Sequence, residues 1–335
     1  MTTVLITGAN GFLGAHLTRK ALARGRRVRA LCLPGTPADH VANLGAEVVR
    51  GDILEPETLR PAMEGVEIVF HVAGSTLEWH ADPIVVYRIN AIGARNVCAA
   101  ALDAGVKRLV HTSTMSAVGS ASARAGEYDE DRWFDLFDTG LYSRSKLLGE
   151  MEALRAGARG LDVVVCCPHQ ILGAGDFGPS TPGRIVVLFA RGRIPFSVNV
   201  RSQFLDVEDC AEGHLLAAEK GRRGERYILA GSEAVDMRAF FAACAELTGR
   251  RPPRIAVPRW MARVAAAPME WVADRVTRRP PPLTAGNAAM LYKDMTCSTR
   301  KAAEQLGFAP GAWRNALEKA VTWFRENGYF DRGTN

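Results

Sequence analysis

Apolar positions in this chain fall into short blocks, and amphipathic stretches lie between them. Thr3-Val-Leu-Ile-Thr7 is apolar and β-branched, which predicts a short buried strand. Comparable blocks at Arg27 to Leu33, Ala46 to Arg50, Val66 to His71, Val106 to Thr112 and Leu161 to Cys167 predict five more. Helical periodicity fills the gaps: Phe12 to Arg24, Pro56 to Glu64, Pro83 to Ala104, and a helix around Tyr142 that follows the acidic stretch Glu127 to Asp138. Repeated βα units of this length predict an α/β fold of Rossmann type, a doubly wound parallel sheet. After Pro168 the rhythm breaks. Helices at about 183–191, 207–220, 236–248, 258–276 and 311–327 alternate with Gly- and Pro-rich loops, and Arg278 to Pro282 reads as a hinge. The expected organisation is a sheet domain over 1–168 that takes further elements from about 200–230. A smaller, mainly helical region over 169–335 follows.

Composition narrows this picture. A chain of 335 residues, 47% hydrophobic and 23% charged, can bury a sizeable core. The net charge is +6, and much of it sits in arginine pairs such as Arg26-Arg27, Arg222-Arg223, Arg250-Arg251 and Arg278-Arg279. These are not interleaved with aromatics. They read as solvated surface with room for an anionic ligand, and no nucleic acid is expected. Seven cysteines lie in apolar runs with no Cys-x-x-Cys pair, which suits reduced thiols in a cytosol and argues against a disulfide framework or a metal site. A strand at the start leaves no signal peptide, and no run of 18 apolar residues exists. The expectation is a cytoplasmic protein without a membrane span.

Two local patterns carry chemistry. Gly8-Ala-Asn-Gly11-Phe-Leu-Gly14 stands between the first strand and the first helix. Glycines at 8, 11 and 14 permit a tight turn, close approach of backbone to a pyrophosphate, and close packing of helix on strand. The phosphates would rest on free N–H groups at the helix start. The second pattern is Tyr142-Ser-Arg-Ser-Lys146, which puts a phenol and an ammonium on one helix face. An ammonium beside a phenol should lower its pKa and fit it for proton transfer near neutral pH. With the Ser/Thr cluster at 112–116 between them, the two form the pattern of a nicotinamide-dependent oxidoreductase.

Several motifs in order make the chain similar to extended short-chain dehydrogenases/reductases, the NAD-dependent epimerase/dehydratase superfamily, over nearly its whole length. Thr7-Gly-Ala-Asn-Gly-Phe-Leu-Gly14 resembles the cofactor fingerprint. Gly51-Asp52-Ile53 resembles the segment that meets the adenine, and Phe70-His-Val-Ala-Gly74 the strand end lining the cofactor. Asn90-Ala-Ile-Gly93, His111-Thr-Ser-Thr-Met-Ser116 and Tyr142 to Glu150 resemble the Asn-x-x-Gly helix, the Ser/Thr stretch and the active-site helix. Within the family the likeness is to dihydroflavonol-reductase-like, 3β-hydroxysteroid-dehydrogenase-like and hopanoid-associated sugar-epimerase-like proteins. Pro182-Gly-Arg-Ile185, Val207 to His214 and Gly224 to Leu229 carry the last of these likenesses.

The resemblance implies roles. Tyr142 would exchange a proton with the substrate oxygen, and Lys146 would hold the nicotinamide ribose and depress the phenol. Thr114 would fix the carbonyl, with Ser113 as the alternative. Asn90 would support a water relay or simply bond a loop backbone. The implied cofactor contacts are Gly8, Asn10, Gly11, Phe12, Leu13, Gly14, Cys32, Leu33, Asp52, Ile53, Val72, Ala73, Gly74, Thr112, Tyr142, Lys146, Pro168 and Gln170. Thr76, Trp79, Ser116 and His169 are candidates for the substrate.

Cofactor choice is weakly marked. Cys32 stands where an acidic residue would hold a ribose hydroxyl, and Leu33 where an arginine would hold a 2′-phosphate. The cofactor is therefore NAD or NADP, with NAD favoured for want of a cation between Leu31 and Leu44; Arg29 or Arg50 would reverse this. Trp260, Met261, Met269, Trp271 and Met290 form an apolar set that lines a lipid-like pocket, a helical core or a dimer face. An apolar small molecule is the expected substrate. The alternatives are a nucleotide-sugar epimerase or dehydratase, with Arg184, Arg191, Arg193 or Arg201 on a diphosphate, and a non-catalytic dinucleotide sensor.

Overall fold

The computed structural model describes residues 2–120, 127–132, 134–135, 140–281 and 283–331. Residues 133 and 136–138 of the acidic stretch, and Pro282 of the expected hinge, lie outside the described residues. Seven strands build one sheet: β1 (Thr3–Thr7), β2 (Arg27–Cys32), β3 (Glu47–Arg50), β4 (Ile68–His71), β5 (Arg108–Thr112), β6 (Val163–Pro168) and β7 (Arg226–Leu229). All pairings are parallel, and the spatial order is β7-β6-β5-β4-β1-β2-β3. The order reverses between β1 and β4, so a crevice opens beyond their carboxyl ends. That is where an open α/β sheet binds its ligand.

The strands read as continuous apolar runs because both faces of the sheet are covered. Val4, Ile6, Phe70, Val110 and Cys166 pack with helices Phe12–Ala23 and Val207–Lys220. Leu5, Val69, Leu109, Val165 and Cys167 pack with helices Gly93–Asp103 and Leu141–Ala158. All seven cysteines are buried free thiols.

The stretch expected as one helix from Pro83 to Ala104 is interrupted. It runs as Ile84–Tyr87, a π turn over Arg88–Ile92, and Gly93–Asp103. Close packing accompanies the irregular turn. A Cβ on Gly149 would lie 2.2 Å from the Asn90 carbonyl oxygen, and one on Gly93 would lie 2.5 Å from Ile53 Cδ1. Two glycines thus let the Tyr142 helix and the Asp52 loop close on the turn.

Past β6 three small strand pairs appear that periodicity did not expose. They join Gln170–Leu172 to Phe204–Asp206, Arg201–Ser202 to Val235–Asp236, and Phe196–Ser197 to Ile255–Ala256. Helices Thr181–Ala190, Met237–Thr248 and Trp313–Glu326 enclose a second core around Phe189, Phe204, Phe240, Trp313 and Phe324. Helix Arg259–Val272 stands apart. It buries only Ala262 and Ala266, against Ala288 of the short helix Ala285–Met290, and runs on as a π turn, Ala273–Thr277.

Candidate active site

The glycine turn is built for a close neighbour. Gly8 has φ of +65°, and a Cβ there would lie 2.8 Å from Ala73 Cα. A Cβ on Gly14 would meet the Gly8 carbonyl oxygen at 2.1 Å. Gly11 is the N-cap of helix Phe12–Ala23 and supplies no side-chain cap. The first-turn N–H groups, including those of Phe12 and Leu13, are therefore left to an anion. The residues present fit a dinucleotide pyrophosphate.

Other expected cofactor residues frame the same crevice. Asn10 Nδ2 donates to Thr36 Oγ1 and to the Pro37 carbonyl, each at 2.9 Å, so it ties the turn to the loop after β2. Asp52 Oδ1 accepts the Leu54 N–H at 2.8 Å, and Ile53 is buried against Gly93. Thr7 was legible only as part of the fingerprint, yet it is a hub. Its Oγ1 accepts the N–H groups of Val72 and Ala73 at 3.1 Å each, which leaves its O–H to donate to His71 Nδ1 at 2.9 Å. This locks the β4 end beside the glycine turn, and Gly74 follows it over Lys146 Nζ.

The structure brings Tyr142, Thr114 and Lys146 together. The Tyr142 phenol lies beside the Thr114 side chain, whose hydrogen bonding favours the ionised phenol. Ser113 faces elsewhere: its Oγ donates to Glu150 Oε2 at 2.5 Å, and Glu150 pairs with Arg226 at 3.2 Å. Of the two hydroxyls open in the sequence, Thr114 is thus the one beside the phenol. Ser116 lies behind it, with the two hydroxyl oxygens 3.3 Å apart. Lys146 Nζ donates to the Thr112 carbonyl at 2.5 Å. Asn90 is fully engaged. Its Oδ1 accepts the Ser75 N–H at 2.7 Å, and its Nδ2 donates to the Ser75 carbonyl at 2.9 Å and Ser145 Oγ at 2.8 Å. Of the two roles open to it, loop-backbone bonding is the one the geometry displays.

Electrostatics corrects one expectation. The phenol was expected to be depressed by the ammonium, but it is pushed up to about 12 by burial. The Thr114 hydrogen bond pulls it down, and the Glu78 carboxylate pushes it further up. Burial likewise lowers Lys146 to about 8, against the attraction of Glu150. Desolvation outweighs pairwise charge for both. Sequence reasoning missed Glu78 altogether. It accepts the Tyr142 backbone N–H, and burial raises its carboxyl to about 7. Nothing local in Ser75-Thr-Leu-Glu-Trp79 signals this, because the contact depends on the approach of Gly140, whose Cβ would lie 2.6 Å from Glu78 Oε2.

Three buried histidines surround Lys146. His71 and His111 are register partners on β4 and β5 with ring centroids 5.3 Å apart, and His214 meets Thr112 Oγ1 at 3.0 Å. Burial and the Lys146 charge lower His71 to about 3 and hold His111 well below its ordinary value. Among the described residues, neither ring nitrogen of His111 has a hydrogen-bond partner.

His169 is buried, with Nε2 on the Met295 carbonyl at 2.9 Å and Nδ1 accepting the Gln170 N–H at 2.8 Å. Gln170 donates to Ser202 Oγ at 2.9 Å, and Pro168 closes β6. Thr76 is exposed, and Trp79 Nε1 donates to Asp274 Oδ1 at 2.9 Å. At the adenosine end Cys32 is buried and Leu33 is 48% exposed. Arg29 turns away to the Ala62 and Glu64 carbonyls. Arg50 instead donates to the Leu33 carbonyl at 3.3 Å and the Thr36 carbonyl at 2.7 Å, so it is the cation at the place where Leu33 supplies none.

A profile of the NAD dependent epimerase/dehydratase family matches residues 4–230, and the chain belongs to that family. It is 35% identical over 328 residues to sterol demethylase protein B of Methylococcus capsulatus, covering 97% of this chain and 99% of that one. It is 35% identical over 333 residues to a Synechocystis protein provisionally named dihydroflavonol 4-reductase, covering 97% and 95%. The solved structure of gox2253 superposes with a TM-score of 0.87 at 35% identity, covering 99% of this chain and 100% of that one. The protein is an extended short-chain dehydrogenase/reductase-type enzyme that uses a nicotinamide adenine dinucleotide.

Proposed function

We propose that this enzyme interconverts a hydroxyl and a ketone on a small apolar substrate of sterol, terpenoid or flavonoid type, with Tyr142 as the proton donor and acceptor. The observation that carries this reading is the placement of the Tyr142 phenol beside the Thr114 side chain, one helical turn from Lys146. When bound, the nicotinamide supplies or accepts the hydride. As negative charge grows on the carbonyl oxygen, the Tyr142 O–H delivers its proton there, and the Thr114 hydroxyl holds the same oxygen in place. A phenol raised to about 12 stays protonated at neutral pH, which suits donation and hence reduction. Proton removal from an alcohol by the same group should quicken as pH rises. Two relatives named for sterol and dihydroflavonol chemistry support the apolar substrate class.

The family profile keeps a second reading open, an epimerase in which hydride leaves and returns on one sugar. Two of the four arginines that could hold a sugar diphosphate are tied up: Arg191 on the Tyr329 carbonyl at 2.8 Å, and Arg201 on Asp294 at 3.4 Å. Nicotinamide oxidation with a panel of apolar ketones, run beside a nucleotide-sugar isomerisation assay, separates the readings. Net cofactor turnover with a ketone is expected; isomerised sugar without net turnover would replace this reading with the second. Tyr142→Phe should lower ketone turnover at least about 100-fold with cofactor affinity nearly unchanged. Near-normal turnover in that variant would remove Tyr142 from the chemistry.

A further inference from the structure

We propose that helix Arg259–Val272 and the turn after it dock on an anionic lipid surface. A surface helix ordinarily buries its apolar face and exposes its polar one. This one is inverted. Its buried side is small, Ala262, Ala266 and Ala273, while Trp260, Val264, Trp271 and Val276 are 65%, 68%, 61% and 65% exposed. Spacings of four and seven residues put Trp260, Val264 and Trp271 on one face.

Charge names the occupant. Between residues 259 and 279 there are five arginines and two acidic residues. Both acids are already engaged: Glu270 accepts the Ala285 N–H at 2.8 Å, and Asp274 accepts the Trp79 indole N–H at 2.9 Å. Arg259, Arg275, Arg278 and Arg279 are exposed around the apolar face. Exposed tryptophans flanked by arginines, on a helix lying along the surface, match an interface of acyl chains below anionic headgroups. A second copy of the chain would bring the arginines face to face, and like charges across an interface oppose association. Location adds purpose. Through Asp274 and Trp79 the turn after the helix holds the loop that Asn90 fastens at Ser75, beside the Tyr142 site. An apolar substrate dissolved in a membrane would reach the site along that loop. Only this purpose rests on the proposed function.

Sedimentation of the full chain with vesicles tests the proposal. Vesicles of phosphatidylcholine with roughly 30% phosphatidylglycerol should carry the protein down and shift its tryptophan emission to the blue. Pure phosphatidylcholine should bind far less, and added salt should weaken the anionic case. Val264→Asp with Trp271→Ala should lower partitioning at least tenfold, and Arg275→Glu with Arg278→Glu should do the same without touching the apolar face. No sedimentation with anionic vesicles overturns the proposal, as does wild-type binding by both double variants. Concentration-dependent dimerisation abolished by Val264→Asp, with no vesicle binding, would assign the face to a second copy instead. Binding is read without turnover. Vesicle binding with no active ketone strikes the proposed function alone, and ketone turnover with no vesicle binding strikes the docking surface alone.

Discussion

The sheet half and the helix at Arg259–Val272 use apolar residues in opposite ways. In the sheet, Leu5, Val69, Leu109 and Val165 are fully buried, and each strand is a run that two layers of helices cover. In the helix, residues of equal hydrophobicity face outward over a seam of alanines. A hydrophobic pattern therefore tells which element forms. It does not tell what covers that element when the partner lies outside the chain.

The sharpest way to break this contrast is to add one carbon to the sheet half. Gly14→Ala would set a Cβ 2.1 Å from the Gly8 carbonyl, and backbone cannot yield cheaply. We expect a loss of about 3 kcal/mol in urea unfolding, together with loss of dinucleotide binding by titration. A loss below about 1 kcal/mol would mean the turn tolerates the intrusion.

Acid should act next, and through the sheet half. His71 is held at about 3, His169 and His214 at about 4, and His111 well below its ordinary value, all by burial. An unfolded histidine titrates near 6.5, so the unfolded chain takes up protons that the fold refuses. The stability is complete above about 6.5 and is lost as pH falls toward the folded values. Asp176, raised to about 6, offsets part of this loss because its burial favours the protonated form. His111→Leu should flatten the acid limb by about 1.4 kcal/mol per pH unit, one proton's worth. An unchanged slope in urea midpoints taken near pH 7 and pH 5 would contradict this.

A smaller effect concerns the adenosine end. The wild type should prefer NAD by tenfold or less, about 1.4 kcal/mol. Leu33→Arg should raise affinity for NADP, and Arg50→Ala should lower it while leaving NAD unchanged. Dissociation constants for both cofactors in the three proteins decide the matter, and indifference of NADP to Arg50→Ala would exclude that cation. The smallest effect belongs to the outward helix. Trp271→Ala should change unfolding stability by no more than about 0.5 kcal/mol, because the indole is exposed. A loss of several kcal/mol would mean the face is covered within the chain after all.

Local signals explain what was legible. The strands, the glycine turn and the Tyr142 helix each declare themselves within a dozen residues, through periodicity and turn chemistry. Helix Val207–Lys220 matches its expected bounds for the same reason. Contacts between distant segments were hidden. Thr7 to His71, Glu78 to the Tyr142 N–H and Asn90 to Ser145 join stretches far apart in sequence. The raised phenol was hidden too, because Tyr-x-x-x-Lys shows the ammonium but not the burial that overrides it. The two-residue strand pairs past β6 are too short for any period to show.

The π turn at Arg88–Ile92 changes how positions along its helix are to be counted. A π turn holds one residue more than an α turn needs, and one residue is a rotation of about 100°. Residues 84–87 and 93–103 are therefore out of phase, and a wheel drawn through both misassigns one end. Removing Arg88, Ile89, Ala91 or Ile92 would let the helix run regular with little change in length. The same deletion would swing Asn90 away from Ser75 and Ser145. The extra residue thus acts as an indexing pin, and its deletion would be silent in the helix and audible in the site.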